Sequence, residues 1–327
     1  MTAHLPTWQQ ELASAFYQAE DLLQYLDLSS ESYSRLAGHD FPMRVPLAYA
    51  ACMEKGNPDD PLLRQVLPSS NELHNPAEFH NDPVGDLSAL VKQCIIHKYQ
   101  GRVLLIATGG CAINCRFCFR RNFPYSEVQL NKQREITALE YIQNDGTINE
   151  VILSGGDPLL LSEQRLNRLI QKLNGIAHVK RIRIHTRLPI VLPTRITPEL
   201  LASFNASTAP IIIVTHCNHA NELSRQVTAA CQALAQNNCT LLNQSVLLKG
   251  VNDHVPTLQS LSEKLFASGI LPYYLHLLDK AKGTAHFDVA QMDAIKIHQT
   301  LQQRLPGYLV PKLVKEQAGK TAKTLLI

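Results

Sequence analysis

The residues of this chain best suited to chemistry are three closely spaced cysteines in Gly109-Gly110-Cys111-Ala112-Ile113-Asn114-Cys115-Arg116-Phe117-Cys118. Thiolate sulfur binds iron and zinc, and a structural zinc or an electron-transfer cluster normally takes four protein ligands. Three ligands leave one coordination position open, which suits an iron-sulfur cluster whose exposed iron receives a small molecule. Cys217, Cys231 and Cys239 fall at expected strand ends or in a helix, without ligand spacing. They read as buried hydrophobes. A fold-stabilising zinc is the bland alternative for the cluster itself.

A second signal is Ser154-Gly155-Gly156-Asp157-Pro158. Glycines let backbone approach a partner closely, and an aspartate there can pair with an ammonium group. Alone, the pentapeptide is an ordinary turn. His185, His216, His219, His276 and His286 suggest a second metal site, but at strand ends they read better as hydrogen-bonded core histidines.

Elements that position these groups follow from periodicity. From Arg102 onward, short runs rich in Val, Ile and Leu alternate with helical patterns six times. The expected strands are 102–107, 150–153, 179–185, 210–216, 240–247 and 272–278. Intervening helices fit 137–143, 163–173, 221–236 and 257–267. Near-continuous apolar runs are what a parallel sheet covered on both faces requires. Polar clusters follow nearly every strand, which favours a barrel whose C-terminal mouth collects them. The expected architecture is α/β: a partial (β/α)6 barrel over 96–305, an N-terminal helical extension over 1–95 and a short C-terminal segment over 306–327. Two amphipathic stretches, 7–26 and 29–36, make the extension helical.

Composition narrows the class. With 327 residues, 45% of them hydrophobic, the chain buries a large core. A net charge of +3 without a basic stripe speaks against nucleic acid. The first fifteen residues lack a secretory pattern, and no apolar run is long enough to span a membrane, so the expected compartment is the cytoplasm. Eight cysteines there point to a metal rather than to disulfides.

The cysteine motif, with an aromatic residue before its last cysteine, resembles the radical S-adenosylmethionine (SAM) superfamily. Further runs narrow the resemblance to the lysine 2,3-aminomutase group: Cys118-Phe119-Arg120-Arg121, Arg183-Ile184-His185-Thr186-Arg187-Leu188-Pro189, Pro193-Thr194-Arg195-Ile196-Thr197, His216-Cys217-Asn218-His219-Ala220-Asn221-Glu222, Asn243-Gln244-Ser245-Val246-Leu247-Leu248 and Pro272-Tyr273-Tyr274. The resemblance runs from about Asn57 to Lys323. It implies a 4Fe-4S cluster on Cys111, Cys115 and Cys118, SAM at Ser154, Gly155, Gly156 and Asp157, and pyridoxal 5'-phosphate (PLP) as a second cofactor.

The family's PLP lysine corresponds to Lys323 in Ala318-Gly319-Lys320-Thr321-Ala322-Lys323-Thr324-Leu325, with Lys320 as the alternate. The resemblance places the substrate carboxylate on Arg120, the remote ammonium on Asp279 and Glu316, and the PLP phosphate near Lys98 and Arg102. Asp279 argues for lysine over glutamate as substrate. The short form, with Gly56-Asn57-Pro58-Asp59-Asp60-Pro61-Leu62-Leu63-Arg64-Gln65-Val66, looks like the bacterial enzymes that make β-lysine for elongation factor P. That implies free L-lysine as substrate, a ligase acting on elongation factor P as recipient of the product, a flavodoxin or ferredoxin as reductant, and a homo-oligomer. The alternatives are a catabolic lysine or glutamate aminomutase, or a non-enzymatic iron-sulfur or zinc protein.

Overall fold

The computed structural model describes residues 7–29, 33 and 35–326. The first six residues of the stretch read for a secretory pattern lie outside the described residues. So do residues 30–32 and 34 of the helix expected over 29–36, and the helix that follows is Arg35–Asp40. The helix expected over 7–26 is two, Trp8–Ala13 and Ala19–Tyr25. Between them Phe16 exchanges both backbone hydrogen bonds with Val45, at 2.8 and 2.9 Å. That bridge holds Phe16 extended, so the helical ladder cannot continue through it.

One sheet carries ten strands in sequence order. They are β1 (Leu90–Lys92), β2 (Ile95–Tyr99), β3 (Arg102–Thr108), β4 (Glu150–Gly155), β5 (Arg181–Thr186), β6 (Ile211–Thr215), β7 (Cys239–Val246), β8 (Leu271–His276), β9 (Lys312–Lys315) and β10 (Thr324–Leu325). Strands β3 to β9 are parallel, while β1–β2, β2–β3 and β9–β10 pair antiparallel. The six expected strands are therefore present as β3 to β8, and the α/β reading holds. A seventh parallel strand, β9, extends the series. Strand β1 lies inside the stretch read as a helical extension.

Four of the helices that connect the parallel strands start where a side chain satisfies an orphan amide. Asn131, Ser162, Thr197 and Ser224 accept from the backbone N–H of Arg134, Arg165, Leu200 and Val227. Helix Glu163–Asn174 turns Leu166, Leu169, Ile170 and Leu173 inward, a helical spacing that covers the sheet. Opposite them, Ile182, Ile184, Ile211 and Ile213 are almost wholly buried. Residues near both edges of the strand order, Ile96 of β2 and Leu325 of β10, line one cavity. The sheet therefore curls around it.

Candidate active site

The cavity has a volume of about 520 Å³, the size of a cofactor or small-molecule site. Its walls include the three cysteines, Ser154 to Asp157, Lys98, Arg102, Arg120, Asp279, Glu316 and Lys323. Lys320 does not line it and is exposed. Cys217, Cys231 and Cys239 do not reach it either, and all three are buried.

The cysteine loop follows β3 and is anchored from the N-terminal segment. Arg116 is completely buried and donates Nε to Glu72 Oε1 at 2.9 Å and Nη2 to Glu72 Oε2 at 2.5 Å, while Nη1 reaches the Phe41 carbonyl. Arg121 donates to Glu72 Oε2 at 2.8 Å. Arg44 donates to the Cys111 carbonyl at 2.9 Å, and Arg187 donates Nη1 to Cys115 Sγ at 2.7 Å. Burial first and the charge of Cys118 second push the Cys111 thiol well up; burial and Cys115 push Cys118 to about 11. Thiols that hinder one another's ionisation in this way suit a cationic metal centre that neutralises them. Among the described residues no three His, Cys, Asp or Glu side chains gather as a single-ion site.

The glycine segment packs directly against the cysteine loop. A Cβ on Gly156 would lie 2.1 Å from the Gly110 carbonyl oxygen, and one on Gly155, at φ 118°, 2.5 Å from the Thr108 oxygen. This close approach lets Gly156 N–H donate to Thr108 O and Asp157 N–H to Gly110 O, both at 2.7 Å. Tyr125 donates its hydroxyl to the Gly155 carbonyl at 2.6 Å. Asp157, read from sequence as a partner for an ammonium group, is also engaged within the protein. Its buried carboxylate already accepts from Thr186 Oγ1 and from the amides of Leu159, Arg187 and Leu188. It ties the segment after β4 to the end of β5.

Across the cavity runs a chain of alternating charges. Arg120 donates Nε to Asp86 Oδ2 at 2.7 Å; Lys98 sits 2.5 Å from Asp86 Oδ1 and 3.2 Å from Glu316 Oε1; Lys323 sits 2.5 Å from Glu316 Oε2. Glu316 thus already holds two ammonium groups, and despite burial Lys323 and Lys98 hold its carboxyl at about 2. Lys323 also lies over the Tyr274 ring, at 5.8 Å. Asp279 is half-buried, and among the described residues no hydrogen bond or ion pair engages its carboxylate oxygens. Arg102 lies over the Tyr99 ring at 4.5 Å and has no carboxylate partner among the described residues. A lysine amine and an unpaired guanidinium on one wall fit an aldehyde cofactor bearing a phosphate.

Sequence reasoning missed Asp86, Arg187 and the state of the histidines. His185, His216 and His276 line the cavity, and the Nε2 of each is buried without a partner among the described residues. They are not the hydrogen-bonded core histidines expected. Burial, with Arg187 second, pushes His216 down to about 3, and burial lowers the other two well below the usual range. All three are neutral at physiological pH and offer unused ring nitrogens to a bound group. Their convergence follows from the barrel, since each ends a different strand at the same mouth, but their lack of hydrogen-bond partners was not legible in sequence.

Comparison with known proteins places these features. The Radical SAM superfamily model matches residues 105–259. The chain is 47% identical, over 98% of its own length and 94% of the relative, to L-lysine 2,3-aminomutase of Escherichia coli K12. It is 47% identical to the Haemophilus influenzae protein of that name, covering 97% and 95%. With the Clostridium subterminale L-lysine 2,3-aminomutase it shares 36% identity, over 97% of this chain and 77% of that one.

Proposed function

Because this chain belongs to the lysine 2,3-aminomutase family of radical SAM isomerases, we propose that it converts L-α-lysine to β-lysine in the cavity just described. The amino group moves from carbon 2 to carbon 3 while a hydrogen moves the other way, so the reaction is balanced within one molecule. When bound, the 4Fe-4S cluster and SAM supply hydrogen abstraction from an unactivated carbon, and PLP lends the migrating nitrogen a conjugated system. Cys111, Cys115 and Cys118 would hold the cluster, and residues 154–157 the SAM segment. Lys323 would carry PLP, with Arg102 and Lys98 toward its phosphate.

The observation that carries the substrate assignment is the pairing of opposite charges on one cavity wall system. Arg120 lines the cavity with its Nε taken by Asp86, which leaves its Nη atoms for a carboxylate, and Asp279 presents a carboxyl that no hydrogen bond or ion pair engages among the described residues. L-lysine carries a group for each. Glutamate would set a second carboxylate against Asp279, in the neighbourhood of Glu316 and Asp86. Neutral histidines and the rings of Phe117 and Tyr274 complete a cavity that shields the reacting carbons from water.

The destination of the product, a ligase that modifies elongation factor P, is supported by resemblance over residues 56–66 and 272–276, as is a flavodoxin or ferredoxin reductant. The test is anaerobic reconstitution with iron, sulfide, PLP, SAM and reductant, with L-lysine and L-glutamate supplied in parallel. β-Lysine alone is expected. β-Glutamate in its place would overturn the substrate, and product from neither with SAM still cleaved would overturn the aminomutase reading of this cavity.

A further inference from the structure

Asp86 is the least exposed acid of the charge chain, and nothing in the family motifs marks it. It is 3% exposed, in a loop built before the sheet begins. Asp82 accepts from the amides of Asp86 and Leu87 at 2.8 and 3.0 Å, so the loop holds the Asp86 carboxylate in place. One oxygen takes Arg120 Nε at 2.7 Å and the other takes Lys98 at 2.5 Å.

The consequence lies in the fork of Arg120. A guanidinium can grip a carboxylate along its Nε edge or end-on across its two Nη atoms. Asp86 closes the Nε edge. Ser154 Oγ lies only 3.4 Å from Nη1, a weak contact that a stronger acceptor displaces. Phe119 and Phe123 lie 4.9 and 5.7 Å from the guanidinium carbon and restrict its plane. Lys98, bound to the far oxygen, offsets the negative charge that would otherwise repel an incoming anion.

We infer that Asp86 is a positioning residue that fixes Arg120 in the end-on presentation and thereby sets the enzyme's preference for amines that carry an α-carboxylate. The inference rests on the reading of Arg120 as the carboxylate clamp. Asp86 does not touch substrate in this account; it acts through Arg120. Losing the charge frees the guanidinium to turn, and only ligands that use the clamp should notice.

The test compares L-lysine with cadaverine, which is lysine without its carboxylate, on reconstituted wild type, Asp86→Asn and Arg120→Lys enzymes. Dissociation constants for both amines are measured alongside iron content and SAM cleavage. Asp86→Asn should weaken lysine by about ten- to a hundred-fold, as expected for a misdirected charged hydrogen bond. Cadaverine should shift by less than about twofold, with iron retained. Equal weakening of both amines would show a merely structural role and overturn the inference. So would an unchanged lysine-to-cadaverine ratio in Asp86→Asn while Arg120→Lys loses it, and the clamp would then stand. If neither variant changes the ratio, the clamp reading falls and the inference with it. Should Asp86→Asn lose its iron, Asp86→Glu, with the charge displaced by one methylene, is judged by the same ratio.

Discussion

Asp279 titrates among like charges. Burial first and the charge of Glu316 second push its carboxyl up to about 7, Asp86 adds to the rise, and Lys323 and Lys98 oppose it. Free enzyme is therefore about half protonated at Asp279 near neutral pH, and an arriving ammonium favours the ionised form. Lysine affinity should weaken as pH falls below about 7 and level off above it, and Asp279→Asn should bind lysine weakly with no such slope. Stability follows with the opposite sense. The folded pKa lies above the unfolded value of roughly 4, so folded protein binds more protons in between and loses stability as pH rises from about 4 to 7. Ligand-free Asp279→Asn should melt higher than wild type at pH 8 and close to it at pH 4, a pair of thermal scans that checks the sign directly.

At this scale the sequence was most readable where ligands cluster locally. Cys111, Cys115 and Cys118 lie within eight positions, so spacing alone exposes their chemistry. Asp86 and Arg120 stand 34 residues apart, and Arg187 and Cys115 are separated by 72. No local pattern marks such pairs. Asp157 was read from its glycine-rich turn as a ligand contact; its hydrogen bonds to amides at the next strand's end join positions about thirty residues apart and have no local pattern either.

Among the elements, the junction between the cysteine loop and the end of β4 is the least tolerant. Two backbones meet there with no room for a methyl group. Gly156→Ala would set its Cβ against Gly110 and Gly109, at 2.1 and 2.6 Å from the Gly110 carbonyl atoms. The loop would have to move, at a cost of several kcal/mol, as for other forced backbone shifts. The expected result is a drop in iron content as well as in melting temperature, measured by metal analysis and calorimetry; loss of activity with iron intact would contradict this reading of the glycine. Strands β3 to β8 were legible because each carries Val, Ile or Leu at the positions that face the covering helices, as Ile182 and Ile184 do in β5, even where the cavity-facing positions are polar. Strand β9 was not, since Lys312-Leu313-Val314-Lys315 holds only two apolar residues between lysines. Strand β10 has two residues, too few for any periodicity.

For the whole molecule, the two halves of the chemistry lie about two hundred residues apart in the chain. The cysteines follow β3, while Glu316 and Lys323 follow β9 and precede β10, and the curl of the sheet brings them to one cavity. Strand β10 rests on β9 through only two residue pairs, so the tail contributes little to the barrel. Removing residues 316–327 should leave iron content and SAM cleavage near wild type and abolish β-lysine formation; parallel assays of the two activities check the separation. That barrel and tail share a site could be anticipated from polar residues gathering after the strands, but the alternating chain from Arg120 to Lys323 joins residues too far apart in sequence for any local pattern to reveal it. Among the described residues no helix is long and apolar enough to cross a membrane.

The central claim is that nitrogen migrates within a single lysine molecule. Anaerobic turnover of L-lysine labelled with ¹⁵N at the α-amino group, followed by fragmentation of the product in a mass spectrometer, tests it most directly. The account predicts β-lysine with the label on carbon 3 and none lost to solvent ammonia. Unlabelled β-lysine, or label remaining on carbon 2 while SAM is consumed, would contradict it.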